Sequence, residues 1–129
     1  MKVNRATPVL FVDRVETSRD WFLRIGFTVF VDIPEGDHVG FALLEKDGVQ
    51  LMLETRDNKN EPTAMRFATK ETRRAVVFVE VDDLDDVMSK LKGTKVVVER
   101  HKTFYDSEEF TFEEPGGNLI TFAKFTRPE

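Results

Sequence analysis

The chain has 129 residues, 40% hydrophobic and 33% charged, with a net charge of −5 and no cysteine. That balance belongs to a globular protein of one domain, and it excludes a disordered chain, a disulfide framework and thiolate chemistry. The acidity argues against phosphate-backbone binding; with no bilayer-spanning apolar run and no signal-peptide core in Met1–Arg5, the expectation is a cytoplasmic protein with neither nucleic-acid nor membrane partners.

Val9 to Val12 reads as a first strand, with Pro8 suited to its start. Asp13 or Thr17 is expected to cap a helix over about Ser18 to Ile25, ended by Gly26, with Trp21, Phe22 and Ile25 turned to a sheet. Phe27 to Val31 is a second strand, and Asp32 to His38 a loop. Phe41 to Leu44 and Val49 to Leu53 form a hairpin around Asp47-Gly48, a strong turn pair. Thr55 to Arg74 is a polar linker, in which Thr63 to Thr69 is expected to form a short helix. The pattern then restarts. Val76 to Val81 is a strand, and Asp82 or Asp83 caps a helix over Leu84 to Leu91, whose Leu84, Val87, Met88 and Leu91 form one stripe. Val96 to Glu99 is a strand, Lys102 to Ser107 a loop, and Phe110 to Glu113 a strand ended by Pro115-Gly116-Gly117-Asn118. Leu119 to Phe125 returns.

The two halves align at an offset of 69 positions, the separation of Phe41 from Phe110. At that offset Leu43 meets Phe112, Gly48 meets Gly117, Leu53 meets Phe122 and Val12 meets Val81. Such a repeat is a strong fold signal. The predicted fold class is α+β: two tandem βαβββ modules, about 5–56 and 74–126, joined by the linker 55–74. Their mixed sheets curve around a cavity, with the helices outside.

Thr7-Pro8-Val9-Leu10-Phe11-Val12 leading into Trp21-Phe22 and Ile25-Gly26-Phe27, then Val77 to Leu84, then the Pro115 to Asn118 turn, resemble the vicinal oxygen chelate superfamily. That superfamily includes glyoxalase I, extradiol dioxygenases and bleomycin-resistance proteins. The resemblance implies that metal-using members take His, Glu or Gln ligands from four positions, which fall here on Thr7, Met52, Val76 and Thr121. None is such a residue, so no metal and no cofactor are expected. The missing ligands and the Ala6 to Leu10 start look like the bleomycin-resistance branch. That likeness implies a homodimer that sequesters a cationic drug between subunits.

Strand alternation divides the side chains. Leu10, Val12, Leu51, Leu53, Val77, Val79, Val81, Ile120 and Phe122 are expected to meet the helices. Thr7, Val9, Phe11, Gln50, Met52, Val76, Phe78, Leu119 and Thr121 form the opposite face, a mixture suited to a small molecule, aromatic or cationic, or to a dimer seam. His38 and His101 read as surface histidines. Glu54, Glu80 and Glu113 read as solvated charges. The expected function is metal-independent small-molecule binding, with drug or toxin sequestration as its form. The alternative is a lyase, isomerase or dioxygenase-like enzyme with a divergent site.

Overall fold

The computed structural model describes residues 1–58 and 74–126. The element order is β1 (Val9–Val12), α1 (Val15–Arg24), β2 (Thr28–Glu35), β3 (His38–Lys46), β4 (Val49–Thr55), β5 (Val76–Glu80), α2 (Leu84–Lys90), β6 (Lys95–Lys102), β7 (Ser107–Glu113) and β8 (Leu119–Phe125). The strands form two four-stranded sheets, ordered β1-β4-β3-β2 and β5-β8-β7-β6. Each sheet opens with a parallel pair, β1 with β4 and β5 with β8, and is otherwise antiparallel. This is the expected pair of βαβββ modules. The expected helix over Thr63 to Thr69 lies outside the described residues.

The 69-position offset holds for the parallel pairs. Val9 pairs with Met52 as Phe78 does with Thr121, and Leu10 with Leu53 as Val79 does with Phe122. It fails by one position in β3 and β7. Leu43 pairs with Met52, whereas the residue paired with Thr121 is Thr111. The reason lies in the turns. Asp47-Gly48 is a tight pair with both φ angles positive, and Glu114–Asn118 holds one residue more than its counterpart. A one-residue shift moves every side chain to the other face. So Phe110 and Phe112 are core, like Ala42 and Leu44, while Phe41 and Leu43 face outward. The expected matches of Phe41 to Phe110 and Leu43 to Phe112 are corrected accordingly.

Helix α1 begins earlier than expected, with Arg14 at the N-cap and no side-chain cap. Val15 is wholly buried, and starting there lets Val15, Ser18, Trp21 and Phe22 form the inward stripe. Gly26 follows the helix at φ +98°, as a stop requires. Helix α2 is capped as expected by Asp83, whose Oδ1 accepts the Asp86 amide at 3.0 Å. The expected loop over Asp32 to His38 is largely strand. β2 runs to Glu35 and turns at Gly36-Asp37, and Pro34 is tolerated because β2 is an edge. β6 likewise extends to Lys102, beyond the expected Glu99.

One core joins both modules. Leu10, Phe22, Leu44 and Leu53 belong to the same buried cluster as Leu91, Phe110, Ile120 and Phe122. The Trp21 ring lies 6.3 Å from Phe122, and its Nε1 donates to Thr94 Oγ1 at 2.9 Å. At the joint, the Glu114–Asn118 turn presses on the end of β1. Asn118 Nδ2 donates to the Phe11 carbonyl at 3.1 Å, and Arg56 Nη2 donates to the Gly116 carbonyl at 3.3 Å.

Candidate functional site

The outward faces are built by register. In the first sheet, Val9, Met52, Leu43 and Val31 form one cross-strand row, and Phe11, Glu54, Phe41 and Ile33 the next. In the second, Val76, Leu119, Glu113 and Lys95 form a row, followed by Phe78, Thr121, Thr111 and Val98. The nine residues read from sequence therefore divide into two sets. Thr7, which precedes β1, goes with Val9, Phe11, Gln50 and Met52; Val76, Phe78, Leu119 and Thr121 lie on the other sheet. Strand pairing keeps the sets in separate sheets. Val76 and Phe78 are 67% and 48% exposed. Gln50 is held from both sides, accepting from Arg5 Nη1 and donating to Glu45 Oε2, each at 3.2 Å.

A carboxylate not foreseen from the sequence stands on the second face. Glu109 is 9% exposed, and its Oε2 accepts from Tyr105 Oη at 2.7 Å and Ser107 Oγ at 2.9 Å. The hydrogen bond to Glu109 is the main cause of an upward shift in the Tyr105 phenol. Thr111 and Thr121 share a hydrogen bond of 2.8 Å in the neighbouring row. Aromatic rings adjoin this polar strip. Phe125 lies 6.4 Å from Phe78 and 6.2 Å from Tyr105, which meets Phe104 edge-on at 5.0 Å. The alternation Ser107, Glu109, Thr111 was the available signal, since it is the complement of the core pair Phe110 and Phe112.

Glu54, expected to be a solvated charge, is 5% exposed. It sits on an inner strand with Phe11 and Phe41 as its two cross-strand neighbours. Glu80 is exposed as expected. Glu113 is partly covered and pairs with Arg74 at 2.8 Å and Lys95 at 3.7 Å. His38 is 3.1 Å from Asp37, and that hydrogen bond raises its imidazole pKa above 6.5. His101 is exposed, with Nδ1 2.8 Å from the Glu99 carbonyl.

The four family ligand positions supply two hydroxyls, a thioether and an alkyl group. That set does not fit a divalent first-row ion, which takes imidazole, carboxylate or thiolate. Among the described residues, no three His, Cys, Asp or Glu side chains gather as a metal set. Nor is any helix among them long and apolar enough to cross a membrane.

Paired βαβββ modules with open sheet faces define a class of small α+β proteins. The chain belongs to the Glyoxalase/Bleomycin resistance protein/Dioxygenase superfamily, whose family model matches residues 2–122. No curated protein matches it. Among solved structures, TioX from Micromonospora sp. ML1 superposes with a TM-score of 0.76 at 19% identity, over 95% of this chain and 98% of that one. A bleomycin resistance determinant encoded on the transposon Tn5 gives 0.69 at 14% identity, over 97% and 100%. A lactoylglutathione lyase from Agrobacterium tumefaciens gives 0.74 at 12% identity, over 96% and 95%. At these identities the likeness is one of fold.

Proposed function

We propose that the chain is a metal-independent binding protein for a small aromatic cation, acting as a cytoplasmic homodimer in drug or toxin sequestration. One observation carries this reading. The Tyr105 hydroxyl holds the Glu109 carboxylate at 2.7 Å, and the Tyr105, Phe125 and Phe78 rings follow one another from it at 6.2 and 6.4 Å. Rings attract a cation through their faces, and a largely desolvated carboxylate adds charge selectivity. The set on the first sheet, with Phe11, Gln50 and Met52, is the matching wall from a second copy. A twofold dimer then holds two equivalent sites. The likeness in fold to a bleomycin resistance determinant agrees with this reading.

The same carboxylate favours a second reading. Glu109, oriented by two hydroxyl donors, has the geometry of a general base, as an enzyme with a divergent site would need.

A thermal-shift series with benzyltrimethylammonium and larger aromatic cations tests the first reading. Ligand at about 100 times its dissociation constant adds roughly 2.7 kcal/mol of stability. Saturable stabilisation by cations and not by their neutral isosteres is expected. Equal stabilisation by both, or none across the series, would count against it.

A further inference from the structure

The repeat predicts two equivalent joints between the modules, and the described residues fill one of them. At the filled joint, the turn of the second module closes on Val12 and Ser18 of the first. A Cβ on Gly116 would stand 2.3 Å from Val12 Cγ1, and Ser18 Oγ donates to Glu114 Oε1 at 2.7 Å. The equivalents of Val12 and Ser18 at the 69-position offset are Val81 and Val87. The turn facing them is Lys46 to Val49. Here the chain leaves a cavity of about 510 Å³ between the modules.

We infer that this cavity is a second ligand site, separate from the outward sheet faces, and that it takes a small organic ammonium ion with an apolar body. Its volume is in the range of small-molecule pockets. Ile25, Phe27, Val79, Val81, Val87 and Phe122 supply apolar wall from both modules. Asp47, Asp82, Asp83 and Asp86 supply four carboxylates, against the two ammonium groups of Lys46 and Lys90. Both ammoniums are committed, Lys46 to Asp47 at 3.3 Å and Lys90 to Asp86 at 2.8 Å, so the wall stays net negative. An apolar floor under an acidic rim matches an amine whose body is buried and whose charge sits at the rim. The filled joint explains why this asymmetry arises. Its carboxylate, Glu114, is consumed by Ser18 and by the Gly116 and Asn118 amides. On the open side Val87 stands where Ser18 would be, so no hydroxyl meets the turn.

Benzylamine, with benzyl alcohol as neutral control, is the probe, read by amide chemical shifts of the full chain. Saturable shifts are expected at Lys46 to Val49 and Val79 to Val87, with the alcohol at least about tenfold weaker, as one lost charge contact at 1.4 kcal/mol implies. Val49 is 56% exposed, so Val49→Lys is tolerated and places a competing ammonium at the mouth. It should weaken benzylamine binding about tenfold or more, and Asp82→Asn should weaken it severalfold. Phe78→Ala acts on the outward strip alone, so the benzylamine titration read at Lys46 to Val49 should keep its midpoint in that variant. Equal binding of the alcohol, insensitivity to both pocket variants, loss in Phe78→Ala, or no saturable shift at these residues would overturn the proposal.

Discussion

Ser18 and Glu114 are 96 positions apart in sequence and 2.7 Å apart in space. The Ser18 hydroxyl donates to Glu114 Oε1, which also accepts the Gly116 amide at 2.7 Å. Oε2 accepts the Asn118 amide at 2.8 Å and Asn118 Nδ2 at 3.0 Å. Both residues are essentially buried, so one carboxylate shapes the second turn and fastens it to the first module's helix.

Replacing Glu114 with Ala should therefore cost about 3 kcal/mol in denaturant unfolding, because several buried donors lose their acceptor together. Ser18→Ala alone should cost about 1 kcal/mol. In the double variant the two losses should be less than additive, since the residues share one bond. Full additivity would show that the contact does not couple the modules.

Gly116→Ala should destabilise by about 1–3 kcal/mol through overpacking, since its new methyl would stand 2.3 Å from Val12 Cγ1. Shortening the neighbour in Val12→Ala should relieve that clash. The double variant is then less destabilised than the sum of the singles. An unaffected midpoint in Gly116→Ala would mean that the joint is looser than described.

Tyr105 is the sole tyrosine of the chain, so absorbance at alkaline pH titrates it alone. Its hydrogen bond to Glu109 favours the protonated phenol and places the midpoint above 10.0. A raised folded pKa means that the stabilisation is present below the unfolded value, near pH 10, and is lost as pH rises through the folded one. Glu109→Ala should return the midpoint toward 10.0. An unchanged midpoint in that variant would place Tyr105 away from the carboxylate.

The proposed homodimer should sediment at about twice the chain mass of 14.9 kDa at micromolar concentration. A monomer would leave the outward face of Val76 and Phe78 in water and would contradict the shared site.

The sequence carried much of this architecture because its signals are local. Asp47-Gly48 specifies its turn through backbone angles that only a few residues accept. Leu119 to Phe125 matches its strand end for end. The register of β7 was not legible. One extra turn residue is a small change in sequence, yet it exchanges the core and outward faces of the strand. Glu109 was missed because the strand was expected to begin at Phe110, whereas β7 begins at Ser107, and Glu114 was visible only as a turn residue. Its partner Ser18 belongs to the other module, and no local periodicity links two residues that far apart. The helix start at Val15 was likewise decided by tertiary burial, not by a capping side chain.

The central claim is that the aromatic strip beside Glu109 binds a small molecule. Calorimetric titration of the tightest aromatic cation from the thermal-shift series, into wild type and Phe78→Ala, tests it most directly. Phe78 is 48% exposed, so its truncation should leave the fold intact. The account predicts that the variant binds about tenfold more weakly, the worth of one ring contact. An unchanged dissociation constant would contradict it.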